Sequence, residues 1–356
     1  MKTKLFSPLQ IGGMLLKNRI NVPPMCMWHA ENGFATSFHR HHYAALAASG
    51  VGAVTIEATA VLPDGRISPN CLGIWDDEHA QSIRTIVESI KETAPDVKVI
   101  IQIAHAGRKG SCNPKDESTV SPQDGGWQTV APSALSAKPS LALPRELELS
   151  EIPVYVQAFA DAAARAVSAG VDAVEIHAAH GYLIHEFLSP ISNKRTDAYG
   201  GNLENRMRFA VEVMNAVKQV VPKEIPVGLR ISATDWLDDG WSLEDSLELT
   251  RRAESIGLEF VDVSTGGIIP CPIPVAPGYQ LPYAAAVRQA ASLKVFGVGL
   301  ITNAFQAETA LQLNACDVVD VGRGILADFN WGWHAIRDLH ENTQSVPAER
   351  VPAVRY

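Results

Sequence analysis

The segment HAAHGY, residues 177–182, places His177, His180 and Tyr182 close together with only alanine and glycine between them. Imidazole nitrogens can bind a metal, move a proton near neutral pH or donate a hydrogen bond to a carbonyl oxygen. A metal would need a further ligand, for which His185 and Glu186 are near in sequence, but no H-E-x-x-H motif is present. Structural, substrate-binding and metal-binding roles therefore all remain open for the histidine pair.

Other reactive side chains follow apolar, β-branched runs, which is where a buried strand would end. Gln102 and Arg230 can hydrogen-bond to a planar heterocycle and balance its charge, while Tyr182 can supply a proton. Cys26 by itself is more typical of a small buried hydrophobic residue than of a reactive thiol. With the two histidines, the residues predicted to lie at strand ends are Cys26, Glu57, Gln102, His105, Tyr182, Arg230 and Arg323.

Glycines mark a second candidate site near the end of the chain. The segments GVGLI (297–301) and DVGRGIL (320–326) each follow an apolar run. Backbone N–H groups at such glycines can bind phosphate, although a glycine that simply ends a strand looks the same. Arg323 favours the phosphate interpretation because a guanidinium pairs with two phosphate oxygens.

Eight apolar runs alternate with amphipathic segments along the chain. The predicted strands lie within 17–25, 51–58, 97–104, 171–178, 225–232, 258–265, 293–299 and 316–322. The clearest predicted helices span 79–93, 153–170, 205–221, 242–257 and 303–315. A doubly wound sheet also alternates in this way, but the number of repeats favours an α/β TIM barrel formed by one domain over residues 1–356.

The extra length lies in two excursions rich in proline and serine. They cover about residues 105–150, after the third strand, and 264–282, after the sixth. Both follow the carboxyl ends of strands, where a barrel carries its active-site loops. We therefore expect the polar strand ends and the two excursions to form one catalytic rim.

Composition narrows the kind of partner. The net charge is −9 and no run of Lys or Arg is present, which argues against binding to nucleic acid or to an anionic membrane. The five cysteines contain no C-x-x-C pair, and no segment resembles a signal peptide or a membrane span. These features predict a cytoplasmic protein that acts on a small molecule.

Four stretches resemble the Old Yellow Enzyme family of flavin-dependent ene-reductases. They are SPLQIGGMLLKNRINVPPMC, IQIAHAGRK, VEIHAAHGYLIHEFLSPISNKRTDAYGGNLENR and VGRGIL, which occur in order between about residue 5 and about residue 330. The cysteine of PPMC is similar to that of the subclass with bacterial xenobiotic reductases and thermophilic-like members. The resemblance favours substrate binding for His177 and His180.

The resemblance implies tightly bound FMN, with NADPH or NADH as the hydride donor. Cys26 would adjust the redox potential of the flavin, and Arg230 would stabilise its reduced form. The implied flavin-binding residues are Pro23, Pro24, Met25, Cys26, Ala60, Gln102, Arg230, Gly299, Gly322 and Arg323.

The implied reaction is reduction of the activated C=C bond of an enone or nitro compound by a ping-pong mechanism. His177 and His180 would hold the carbonyl or nitro oxygen, Tyr182 would donate the proton, and Trp28 would line the substrate pocket. Trp28 departs from the subclass, which usually has tyrosine there, so the substrate range is expected to differ.

The carboxyl terminus is a second departure. The subclass forms homodimers or homotetramers in which an arginine and aromatic residues enter a neighbouring active site. In this chain, which ends in ERVPAVRY, the residues that could enter a neighbouring active site are Arg350, Arg355 and Tyr356.

Two rival functions remain at this stage. One is a metal-dependent hydrolase barrel that uses His177, His180 and His185, and the other is a barrel that binds a small molecule without catalysis. The larger flavoenzymes with this barrel carry a cysteine cluster and additional nucleotide-binding domains, neither of which this sequence shows.

Overall fold

Eight parallel strands close into a barrel in the computed structural model, which describes residues 3–342 and 346–354. In chain order they are β1 (Ile20–Val22), β2 (Ala53–Ala60), β3 (Lys98–Ala104), β4 (Ala173–Ala178), β5 (Val227–Ser232), β6 (Phe260–Ser264), β7 (Lys294–Gly297) and β8 (Val318–Asp320). Nearly every strand residue is buried, because helices cover the outer face of the barrel and side chains fill its interior. The predicted TIM barrel is confirmed.

Several helices between the strands begin directly after a residue whose side chain caps them. The Asp76 and Asn202 side chains accept hydrogen bonds from backbone N–H groups of the first turn, and Ser242 forms a capping box with Asp245. The helices are α1 (Ser37–Ala47), α2 (Asp77–Thr93), α3 (Ile152–Ser168), α4 (Leu183–Leu188), α5 (Leu203–Val220), α6 (Leu243–Ile256), α7 (Leu281–Ala290), α8 (Ala304–Gln312), α9 (Arg323–Ala327), α10 (Trp331–Asp338) and α11 (Val351–Val354).

An amino-terminal hairpin closes one end of the barrel. Its strands, Leu9–Ile11 and Met14–Leu16, pair in antiparallel register. Ile11 and Leu16 belong to a buried apolar cluster with Ala173, Phe260 and Val318, the first residues of β4, β6 and β8. Because this end is filled with apolar side chains, a polar site is expected at the other end, where the strands finish.

The two excursions lie where the sequence places them. Residues 105–151 connect β3 to α3, and residues 265–280 connect β6 to α7. Arg108 joins them, since its guanidinium donates to the Leu135 carbonyl at 3.2 Å and to the Ile268 carbonyl at 2.8 Å. Both excursions therefore cover the same end of the barrel.

No helix in residues 3–342 and 346–354 combines the length and the apolar character required to cross a bilayer.

Candidate active site

His177, His180 and Tyr182 form one cluster at the carboxyl end of β4. His177 belongs to the strand itself, and the other two follow it in the turn that leads to α4. The His177 ring centroid lies 5.2 Å from that of His180 and 4.9 Å from that of Tyr182, in near-perpendicular arrangements. The three residues that are close in sequence therefore also form a compact group of polar rings in the structure.

The hydrogen bonds of His177 determine which ring nitrogen can act as a donor. The backbone N–H of Ala179 donates to Nδ1 at 3.3 Å, so Nδ1 carries no proton and Nε2 carries the single proton of the neutral ring. Burial, with the nearby positive charge of Arg230, holds the pKa of His177 well below its usual range. His177 is therefore a neutral N–H donor at physiological pH.

His180 has a left-handed backbone with φ of 61° that its surroundings hold in place. Its N–H donates to Ser232 Oγ at 2.9 Å, and its carbonyl accepts from Lys109 Nζ at 2.8 Å. Nε2 of the ring lies 2.7 Å from Ser264 Oγ. A non-glycine residue in this conformation costs about 1–3 kcal/mol, which the three contacts offset.

Tyr182 borders a cavity of roughly 400 Å³ beneath the two excursions, together with Trp28 and Lys109. Burial raises the pKa of the Tyr182 phenol well above its usual range, so the phenol keeps its proton. Trp28 is 46% exposed and contributes to the same cavity. The cavity therefore places a protonated phenol beside Trp28, the residue that departs from the subclass that the sequence resembles.

A second cavity, of roughly 190 Å³, lies at the ends of β1, β7 and β8, and Arg230 of β5 also lines it. A Cβ built on Gly322 would meet Pro23 Cγ at 3.4 Å and Met25 Sδ at 3.5 Å, so a larger side chain there would fill the space. The predicted flavin-binding residues that line this cavity are Pro23, Pro24, Met25, Arg230, Gly322 and Arg323.

The remaining predicted flavin-binding residues are distributed around the same end of the barrel. Cys26 follows β1, while Ala60 and Gln102 lie at or near the ends of β2 and β3. Gly299 follows β7 with φ of 139°, and its carbonyl accepts a hydrogen bond from Gly278 N–H at 2.6 Å. None of these four residues lines either cavity in the part of the chain that the structure describes.

Arg230 is a buried positive charge surrounded by carboxyl groups. Burial alone would lower its pKa, but Asp262, Glu175 and Asp320 raise it, so the guanidinium stays charged. Its Nε lies 2.8 Å from Asp262 Oδ2. The carboxyl groups hold the guanidinium in position, because separating a buried charge from its partners costs several kcal/mol of free energy.

Gln102 is oriented by one of these carboxyl groups. Its Nε2 donates to Glu175 Oε2 at 2.6 Å, which leaves the amide oxygen to accept a donor from a ligand. Burial raises the pKa of Glu175 to about 8. Glu175, Asp262 and Asp320 were not predicted from the sequence, although an acidic residue inside an apolar strand run is a recognisable signal.

His185 does not complete a metal site. Its Nδ1 accepts from Gly181 N–H at 2.9 Å, and its Nε2 lies 3.0 Å from Asp235 Oδ1, so its own neighbours occupy both nitrogens. Within residues 3–342 and 346–354, no three His, Cys, Asp or Glu side chains are arranged to hold a metal ion. Both nitrogens of His185, the third histidine of the hydrolase alternative, are thus engaged by other residues.

Glu57 and His105, which the sequence placed at the catalytic rim, are buried against partners of their own. The Tyr43 hydroxyl donates to Glu57 Oε2 at 3.0 Å, and His105 Nε2 lies 3.6 Å from Asp64 Oδ1. These contacts support a structural role for both residues, Glu57 within β2 and His105 directly after β3.

Lys109 is a site residue that sequence reasoning missed. Its Nζ donates to the His180 carbonyl at 2.8 Å and to the Gly267 carbonyl at 2.9 Å, and it lies 5.4 Å from the centroid of the Tyr182 ring. Burial lowers its pKa to about 8, which Glu186 partly counteracts. The sequence signal for this residue was its place in IQIAHAGRK, where Lys109 lies five residues after the end of β3.

Comparison with known proteins adds independent information. Residues 4–342 match the NADH:flavin oxidoreductase / NADH oxidase family. An NADPH dehydrogenase of Geobacillus thermodenitrificans (strain NG80-2) is 43% identical over 341 residues, which are 95% of each chain.

Two solved structures share the architecture. Morphinone reductase superposes with a TM-score of 0.79 at 28% identity, over 96% of this chain and 91% of that one. A 2-naphthoyl-CoA reductase superposes with a TM-score of 0.87 at 24% identity, over 94% of this chain. This chain spans 52% of the latter protein, so that likeness concerns the barrel alone.

Proposed function

Since this chain belongs to the NADH:flavin oxidoreductase / NADH oxidase family and is an FMN-dependent NAD(P)H oxidoreductase, we propose that it is an ene-reductase. Its substrates are α,β-unsaturated carbonyl or nitro compounds, whose activated C=C bond is reduced. The observation that carries the proposal is the His177–His180–Tyr182 cluster, which combines neutral imidazoles with a protonated phenol. Such a group suits an oxygen that gains negative charge and a carbon that gains a proton.

The residues present fit an FMN. Gly322 leaves space beside Pro23 and Met25 that a side chain would fill, and Arg323 and Arg230 supply positive charge on the same cavity. We assign the phosphate to Gly299, Gly322 and Arg323, and the ring system to Cys26, Ala60, Gln102 and Arg230. When bound, FMN accepts hydride from NADPH or NADH and delivers it to the substrate.

The protein's own groups then control the substrate. His177 Nε2–H and the His180 ring donate to the carbonyl or nitro oxygen, and one such donor contributes about 3 kcal/mol in the transition state. Tyr182 holds its proton and gives it to the α-carbon. Nicotinamide and substrate use the same cavity, so the first must leave before the second binds, which is a ping-pong sequence.

The oligomeric state is proposed to be a homodimer or homotetramer. Arg350 is held by its own subunit, since its guanidinium donates to Asn330 Oδ1 at 2.9 Å and its Cζ lies 5.9 Å from the Trp333 ring. Arg355 and Tyr356 lie outside the described residues. We therefore assign any contact with a neighbouring active site to Arg355 or Tyr356 rather than to Arg350.

The flavin released from the purified protein by heat is expected to be FMN. The phosphate is assigned to a cavity at the end of the barrel, and the sequence has no G-x-G-x-x-G segment to hold an adenosine half. Chromatography against FMN and FAD standards makes the identification. Finding FAD, or no flavin after reconstitution with FMN, would contradict the assigned site.

Trp28→Tyr is expected to broaden the range of cyclic enones that the enzyme accepts. An indole is larger than a phenol and lacks an acceptor, and Trp28 borders the cavity that also contains Tyr182. The kcat/KM for β-substituted enones relative to 2-cyclohexenone should rise by about 10-fold or more. This is the discrimination that a pocket typically shows for one methylene group.

The matched control is Trp127→Tyr, because Trp127 packs against Arg66 and does not line the cavity. An unaltered substrate profile in Trp28→Tyr would show that Trp28 only packs against its surroundings. Loss of flavin from that variant would instead place Trp28 among the cofactor-supporting residues.

A further inference from the structure

The turn between β4 and α4, which carries His180 and Tyr182, has an unusual backbone. His180 and Gly181 both lie in the left-handed region, with φ of 61° and 72°. Residues other than glycine rarely adopt this region, and two successive residues rarely do so together. A Cβ built on Gly181 would meet the Gly267 carbonyl oxygen at 2.2 Å, so the turn packs tightly against the second excursion. The direction of the His180 ring relative to Tyr182 therefore depends on the contacts that hold this backbone.

One of these contacts comes from a histidine that has no part in the proposed reduction. Gly181 N–H donates to Nδ1 of His185, in the first turn of α4, at 2.9 Å. A nitrogen that accepts this hydrogen bond carries no proton, so His185 carries its single proton on Nε2. His185 is fully buried, so neighbouring side chains rather than bulk water decide which nitrogen is protonated.

Asp235 supplies the acceptor that this Nε2–H requires. Its Oδ1 lies 3.0 Å from His185 Nε2, and both side chains are fully buried. Neither of these two atoms has a hydrogen-bond partner among the other residues that the structure describes. A buried N–H and a buried carboxylate oxygen without other partners are costly to separate. Asp235 therefore keeps the proton of His185 on Nε2 and leaves Nδ1 free for Gly181.

The Asp235 carboxylate is itself held by two further donors. Its Oδ2 accepts from the Ser189 hydroxyl at 2.6 Å and from Trp241 N–H at 2.8 Å. Burial tends to raise the pKa of Asp235, but its contacts with His185, Ser189 and Trp241 lower that pKa below its usual range, so the group is ionised. Ser189 follows α4 and Asp235 follows β5, so the carboxylate ties the two segments together.

We propose that His185 and Asp235 are positioning residues for the site that binds the substrate oxygen. Asp235 fixes the tautomer of His185, and His185 fixes the Gly181 amide, so that the His180 ring keeps its place beside Tyr182. Neither residue lines the cavity that Tyr182 borders, so both act through the backbone of the turn. The inference rests on the proposed function, because that function makes His180 a residue that binds the ligand oxygen.

Asp235→Asn is expected to reverse the tautomer of His185. The Ser189 hydroxyl and Trp241 N–H both require an acceptor at the Oδ2 position, so the new amide oxygen takes that place and the NH2 group faces His185 Nε2. His185 must then accept through Nε2 and carry its proton on Nδ1. Two N–H groups, those of His185 and Gly181, would then oppose each other, and the turn has to move.

Titration of the FMN-loaded protein with phenol, followed by the flavin absorbance, measures the effect on the oxygen site. Asp235→Asn and His185→Leu should retain FMN and bind phenol at least about 10-fold more weakly, the scale of one lost buried hydrogen bond. His185→Asn should stay within about 3-fold of the wild type, because its Oδ1 takes the place of Nδ1 and accepts from Gly181 N–H. A residue that only packed would give the reverse order, since leucine fills a buried apolar space better than asparagine.

Asp317→Asn is the matched control for the loss of a buried carboxylate. Asp317 Oδ1 lies 3.1 Å from Arg288 Nε, and its Oδ2 accepts from Val295 N–H at 3.0 Å. These contacts lie at the amino ends of β7 and β8, away from the turn. The variant should lower the thermal stability of the protein and leave phenol binding unchanged.

Unchanged phenol binding in Asp235→Asn and His185→Leu would overturn the positioning role, as would equal weakening in His185→Asn and His185→Leu. If Asp235→Asn does not fold, the two His185 variants decide, since both keep Asp235 with Ser189 and Trp241. A wild-type protein that binds no phenol would remove the oxygen site and the positioning role with it. A wild-type protein that binds phenol with the expected variant pattern but reduces no enone would contradict only the proposed function.

Discussion

The double variant His177→Ala/His180→Ala is expected to keep its FMN and to reduce enones at least about 100-fold more slowly. His177 presents a neutral Nε2–H because Ala179 N–H occupies its Nδ1, and burial lowers the pKa values of both histidines well below their usual range. Removing one donor to a developing oxyanion costs about 100- to 1,000-fold in rate. The losses from two donors to one oxygen need not add.

The rate of enone reduction can be measured by stopped-flow absorbance. The enzyme is first reduced with NADPH and is then mixed with 2-cyclohexenone. The same variant should bind phenols more weakly, since a phenol's oxygen would accept the same hydrogen bonds. His41→Ala is the matched control, because His41 is exposed on α1. An unchanged rate of enone reduction, with FMN retained, would remove the histidines from the mechanism.

Tyr182→Phe is expected to slow oxidation of the reduced enzyme by enone by about 100- to 10,000-fold, the usual cost of losing a general acid. Reduction of the enzyme by NADPH should change far less, since that step delivers no proton to carbon. Burial raises the pKa of Tyr182, so the phenol is protonated below that raised pKa and loses its proton only as the pH rises through it. The wild-type rate of enone reduction should therefore show no loss from Tyr182 between about pH 6 and pH 9.

Both half-reactions can be measured on the same preparation of Tyr182→Phe. Tyr279→Phe is a suitable control, since Tyr279 lies in the second excursion and does not line the substrate cavity. Equal slowing of the two half-reactions would indicate that Tyr182 supports the structure of the site instead of donating a proton.

The barrel and the family could be predicted because their signals are local. Parallel strands that are covered on both faces must be apolar along their length, so each strand is visible as a run such as VDAVEIHA. Helices were predicted where they are amphipathic and capped, as in α2, α5 and α6. No range was predicted for α1, α4 or α9, which are short or mix polar and apolar residues without a clear period.

The candidate site was predicted only in part. Types and spacing selected His177, His180 and Tyr182, which the structure brings together within one group of rings. The same reasoning also selected Glu57 and His105, whose partners Tyr43 and Asp64 are distant in sequence. A residue at a strand end therefore signals a position at the rim but not the direction of its side chain.

The sequence by itself determined the barrel, the position of its two excursions and the family, because periodicity, capping and an extended motif are properties of neighbouring residues. Only the tertiary structure decided three further features. They are the tautomer of His177, the hydrogen bonds of Lys109 to the His180 and Gly267 carbonyls, and the charge of Arg230. Protonation and hydrogen bonding depend on burial and on groups from other strands. Those groups come within a few ångströms only when the barrel closes.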